Sequence, residues 1–415
     1  MTQELLQRIL DQYRGSQDFN GLYFDGASPD ARDAASGLVR DGLVEIVAEE
    51  DFPNPHIRPW PSRRTREQQV ASLMELDGTG YGVCLYPTPE ALAANPAAED
   101  YVDEPFRRAM ADGRGSLELA YFSFDVLEQY RNDPRFSFRF YDFGAQTVIS
   151  DDSYEDESEP EHDKILMDHI GFAYDLSDYD KDDPQSPIVR RVCAFYGDLA
   201  KLSPIHQQRW RTYQVPDEPL QPHPVWWAQQ GGHFPDGVGP FEKLFHELDA
   251  LNTLFDKAFG ASLLKSTERP ADLGWILRPS QREWDAFVHQ LDKLLSENLD
   301  HKALDSAGVP RKDAAQQNIG SLRRLGEFLT ANGVAEDAAK AVLKPLSDVR
   351  NARQKPAHTL RKNVNDRSFV HRQVALLQDL NLSVEALRRF VQSHPANREW
   401  SEPEYLKVGA REYRF

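Results

Sequence analysis

Apolar residues recur at helical spacing from the start of the chain. Leu5, Leu6, Ile9, Leu10 and Tyr13 share one face and predict a helix over residues 2–14. Ser28-Pro29-Asp30 predicts the start of a second helix, because serine caps, proline suits the first turn and an acid favours the positive end. Ala31, Ala35, Leu38 and Val39 continue that helix and Gly42 ends it. Residues 43–47 then alternate as a strand, and residues 54–60 read as a turn and a second extended piece, which predicts a hairpin. Between residues 80 and 150, strands at 81–86, 117–122 and 136–141 mix with short helices at 88–94, 104–111 and 123–131. A further helix is expected over 187–202, and the Pro-, Gly-, His- and Trp-rich stretch 216–240 reads as an ordered junction.

Beyond Pro240 the pattern turns helical. Helices are expected at 241–259, from Ser280 (with Glu283 placed for a capping box) to Leu299, and at 321–331 (314–331 if it serves as a bundle helix) with Asn332-Gly333 as its stop. Another spans 335–353, interrupted near Pro345 and stopped before Pro356, and a last one spans 369–392. Short loops between long helices predict an antiparallel bundle. The fold class is therefore α+β and multidomain. An N-terminal module covers 1–75, a mixed α/β domain with acidic loops covers 76–215, the junction covers 216–240 and a helical domain covers 241–415.

Charge changes the picture. The 415-residue chain carries a formal net charge of −19, yet Lys340 to Arg372 holds nine Lys/Arg against Asp348 and Asp366. A solvated helix face or a phosphate-bearing partner accounts for such a reversal of sign. Asp151 to Asp183 holds fourteen acids and two lysines and is a candidate intramolecular mate for the basic stretch. No run of about eighteen apolar residues exists, so no membrane association is expected. Cys84 and Cys193 sit in apolar settings, which suits buried thiols and a reducing cytoplasm. Phosphate-loop, dinucleotide, zinc-protease and nucleophile-elbow patterns are all absent. His162 and His169 lie among acids without a firm ligand pattern, so no metal and no cofactor is expected.

Two resemblances follow. Residues 38–47 and 54–58, after two helices, resemble a winged-helix module, in which Arg63, Arg64 and Arg66 would touch duplex DNA. The segment Ser347 to His358, with Arg353 and His358 either side of four residues, resembles the HEPN superfamily, whose hallmark is a helical bundle with an Arg-x4-to-6-His motif. That resemblance implies a metal-independent ribonuclease, a homodimer that joins two motifs, and a conditional effector of toxin or anti-phage defence type. Arg353 would hold phosphate, His358 would act as acid and base, and Arg350, Lys355, Arg361 and Lys362 would steer an RNA such as tRNA or mRNA. Gln354 stands after Arg353, where active members commonly carry Asn, Asp or His. The alternatives are a regulator or assembly subunit whose bundle binds a protein partner, and a DNA-binding regulator using the N-terminal module.

Overall fold

The computed structural model describes residues 1–16, 19–58, 61–80, 82–97, 101–149, 166–178, 180, 182–183, 186, 188–216, 220–234, 238–357 and 362–407, with the side chains of 149 and 355–357 excepted. The chain is mixed α+β. It forms two compact units that interleave in sequence. The first takes Met1–Ser137, Gln146–Ala173 and Arg191–Leu220; the second takes Phe138–Ala145, Tyr174–Arg190 and Gln221–Phe415.

The first unit opens with α1 (Thr2–Gly15), β1 (Leu22–Phe24), α2 (Pro29–Arg40), β2 (Val44–Val47), α3 (Arg66–Glu75) and β3 (Val83–Pro87). Leu5, Ile9, Leu10 and Tyr13 of α1 are buried, as their spacing predicts. Ser28 Oγ accepts from the Ala31 N–H at 3.4 Å, and Gly42 leaves α2 at φ 72°. Thr65 and Gln68 form a capping box at α3.

Among the described residues the expected hairpin does not form. β2 pairs antiparallel with β3, Val44 opposite Pro87 and Ile46 opposite Leu85, and β1 pairs with the other edge of β3. Residues 54–58 make turns instead. The reason is in the side chains. The β3 run is buried at all five positions, whereas Pro53, Pro55 and Pro59 strip donors from the 53–59 stretch.

The rest of the first unit adds α4 (Pro89–Ala94), α5 (Pro105–Ala111), β4 (Leu119–Phe122), α6 (Val126–Asn132), β5 (Phe136–Phe140), β6 (Gly144–Ile149), β7 (Leu166–Asp175), β8 (Val189–Phe195), α7 (Tyr196–Ala200) and α8 (Pro204–Tyr213), with β5–β8 divided between the units. The strand order is β4-β8-β7-β6-β5. The helix expected over 187–202 is a correction: its first half is β8. Val192 to Phe195 are buried in succession, and a continuous apolar run does not separate a buried strand from a helix. Residues 150–165, which carry much of the acidic tract and His162, lie outside the described residues.

The second unit contains β9 (Gln221–Pro222), which pairs with β7, then α9 (Pro224–Gln230), α10 (Pro240–Phe259), α11 (Gln281–Asp292), a π-helical turn (Lys293–Glu297), α12 (His301–Ser306), α13 (Ser321–Ala331), α14 (Glu336–Ala357), α15 (Ser368–Gln392) and α16 (Glu404–Lys407). The stretch 216–240 thus carries a helix of its own. α13 spans Ser321–Ala331, as its periodicity predicts, and does not extend back to 314 as the bundle resemblance implies. α14 runs unbroken through Pro345 and includes Pro356, where an interruption and an earlier stop were expected.

α14 packs against α11, α13 and α15, and α10 packs along α15. The α10–α15 pair is parallel, not antiparallel. Pro240, Lys243, Glu247 and Leu254 meet Asn381, Glu385, Arg388 and Asn397 in that order. The short-loop rule does not bind them, because more than a hundred residues separate the two helices in sequence.

Candidate functional site

Arg353 lies near the end of α14, where the basic stretch leaves the helix. Its Nη1 donates to Asp292 Oδ2 at 2.5 Å and to Glu297 Oε1. The side chain of Asp292 is 1 % exposed, that of Glu297 47 % and that of Arg353 32 %. Hydrogen bonds donated first to Asp292 and then to Glu297 raise the Arg353 pKa above its ordinary value, so its charge is permanent.

The local backbone explains the grip. Five residues along a regular α-helix turn the side chain by roughly 140° away from its starting face. Asp292 and Glu297 bracket the π-helical turn, whose wider winding brings both carboxylates to one cation. The second Asp292 oxygen, Oδ1, and the Ser296 hydroxyl are buried without partners among the described residues. Helical periodicity gives no sign of Asp292 or Glu297. The signal that finds them is the pairing need of an arginine on the opposing helix.

The other expected residues divide. Arg350, one turn before Arg353, is half-buried and Lys362 is exposed. His358 and Arg361, and the side chain of Lys355, lie outside the described residues. Part of the basic run is spent on acids of the same helix: Lys340 pairs with Glu336 at 2.7 Å and Lys344 with Asp348 at 2.5 Å.

The three N-terminal arginines have different surroundings. Arg64 is consumed by its neighbours: Nε donates to Asp51 at 2.7 Å, Nη2 to Glu50 at 3.1 Å and Nη1 to Ser72 at 2.8 Å. Arg66 opens α3 and its guanidinium lies against Gly42, while Arg63 is exposed.

No family model, no curated protein and no solved structure matches the chain. Among the described residues no three His, Cys, Asp or Glu side chains gather as metal ligands would, and no helix is long and apolar enough to cross a membrane. His169 meets one carboxylate, Asp198, at 3.5 Å.

Two further arginine clusters fix the helical unit. Arg388 donates to Glu247 at 2.6 Å, with both side chains at 0 % exposure. Arg324 is equally buried and donates to Asp305 at 2.7 Å and to the carbonyls of His301, Val309 and Pro310. It ties the chain around α12 to α13. Both arginines are themselves sealed from solvent, although Asp305 is partly exposed.

Proposed function

We propose that the helical unit is a metal-independent ribonuclease of the HEPN type, a conditional effector of toxin or anti-phage kind acting in the cytoplasm. The mooring of Arg353 carries this reading. A planar, permanently charged guanidinium is held by a buried carboxylate and remains about one-third open to solvent. A cation fixed in place before substrate arrives is what charge stabilisation on a phosphate requires.

The chemistry follows from the residue types. His358 removes the proton of a ribose 2′-OH and the 2′-oxygen bonds to phosphorus. The 5′-oxygen leaves and takes a proton, so a 2′,3′-cyclic phosphate and a 5′-hydroxyl remain. Arg353 faces the phosphate oxygens as charge builds there. Arg350, Lys355, Arg361 and Lys362 draw the RNA backbone in. A second copy of the chain supplies the second motif.

One observation favours a second reading. Asp292 and Glu297 set two negative charges against one positive at Arg353. On that balance the bundle is a partner-binding or dimerising element without chemistry.

Total RNA and tRNA incubated in EDTA with the wild type and with His358→Ala separate the two. Cleavage by the wild type alone, leaving cyclic-phosphate ends, is the expected result. Equal cleavage by both proteins removes His358 from the mechanism, and cleavage by neither transfers the assignment to the binding reading.

A further inference from the structure

We infer that the first unit holds a binding site for a small phosphorylated, hydroxyl-bearing ligand, a sugar phosphate or nucleotide, in the cleft between the end of α1, the start of α5 and the end of α7. The cleft is open to solvent, and the space inside it, open solvent included, is about 440 Å³. In a chain of net charge −19 it gathers three cations, Arg14, Arg107 and Lys201. A phosphate group is the anion that rewards several converging cationic donors.

The cations are set by local structure. Arg14 occupies the last turn of α1; its Nη2 donates to the Asn95 carbonyl at 2.5 Å, while its Nε is buried without a partner among the described residues. Arg107 sits in the first turns of α5, donates to Glu104 at 3.1 Å and lies 5.1 Å over the Tyr101 ring. Tyr101 itself holds φ 37°, a left-handed backbone that a bulky residue seldom adopts. Lys201 is exposed just beyond α7.

The decisive feature is Asn20. It lines the same cleft at 2 % exposure, and its Oδ1 is buried with no partner among the described residues. A buried acceptor left open costs stability until a donor reaches it. Phosphate oxygens accept rather than donate, so the group that satisfies Oδ1 is a hydroxyl or amine carried on the same ligand. Phosphate on the cations and a hydroxyl on Asn20 define the ligand class. The Tyr13 hydroxyl is not available for this, since it donates to the Met110 carbonyl at 3.0 Å.

This site does not depend on the RNA reading, and its test contains no RNA. Calorimetric titration of the full chain with ribose 5-phosphate, AMP and inorganic phosphate at fixed ionic strength is the measurement. The two organic phosphates are expected to bind saturably and inorganic phosphate at least tenfold more weakly. Equal affinity for ribose 5-phosphate and AMP assigns a sugar phosphate; tighter AMP assigns a nucleotide. Arg14→Gln combined with Lys201→Glu, both reachable by solvent, is expected to weaken binding at least tenfold with an unchanged circular dichroism spectrum. Asn20→Ser is expected to bring ribose 5-phosphate down to the affinity of inorganic phosphate. No saturable binding, or binding by the double variant equal to the wild type, would overturn the site. Inorganic phosphate binding as tightly as ribose 5-phosphate would overturn the ligand class.

Discussion

Arg388 and Arg353 each engage two carboxylates in the helical unit. Arg388 meets Glu247 and Glu402, and Arg353 meets Asp292 and Glu297. Arg388 and Glu247 are both fully buried, whereas Arg353 keeps about one-third of its side chain in water. The chemistry is the same and the surroundings decide its use. A sealed pair has no route to a ligand and serves to fix one helix against another. A pair with one buried and one exposed acid presents an oriented cation to whatever arrives.

The largest effect tests the sealed pair. Glu247→Ala leaves a guanidinium buried and uncompensated, and is expected to destabilise the protein by about 3–5 kcal/mol. Urea or thermal unfolding reads this; a loss near zero would mean that water reaches Arg388 after all. Replacing both partners, with Glu247→Leu and Arg388→Met, is expected to recover most of that loss.

Asp292→Ala acts at the open pair. It removes the buried partner and leaves Glu297, so the expected cost is about 1–3 kcal/mol, with RNA cleavage falling because Arg353 is no longer fixed. Full cleavage in this variant would show that the mooring is only structural.

The third test uses acid. Hydrogen bonds from Arg311 first, and then Arg324, lower the Asp305 pKa from 3.8 to about 2. A carboxylate with a depressed folded pKa contributes stability that is present above its ordinary pKa and disappears as pH falls through the folded one. The gap in melting temperature between wild type and Arg311→Ala should therefore narrow as pH drops from about 4 towards 2. A gap that stays constant over that range would contradict the pairing.

The smallest effect is expected at Arg64→Ala. Its partner Glu50 is largely exposed, and such pairs contribute roughly 0.2–1 kcal/mol. Chemical denaturation of this variant calibrates the exposed end of the scale.

Much of the helical architecture was legible in the sequence, because periodicity and caps are local. The apolar face of α1, the Ser28 cap on α2 and the Gly42 stop all lie within a few residues of the structure they produce. What failed depended on distant partners. β2 finds β3 some forty residues away, with α3 between them. β8 reads as a helix in sequence because a strand buried on both faces loses its alternation. The parallel run of α10 and α15 follows from a long connection that no local rule describes. In the candidate site, Arg353 was visible as part of a spaced motif, but Asp292 and Glu297 were not. Their common orientation arises from a π-helical turn, and i, i+5 spacing carries no weight in a helical reading.

The measurement that tests the central claim most directly is single-turnover RNA cleavage by wild type and Arg353→Ala in EDTA, with thermal melts run alongside. The account predicts that cleavage falls at least about a hundredfold at a temperature where the melt shows the variant still folded, although leaving the buried Asp292 unpaired lowers its melting temperature. An Arg353→Ala protein that cuts RNA at the wild-type rate would contradict it, and would place Arg353 beside Arg388 as part of the scaffold.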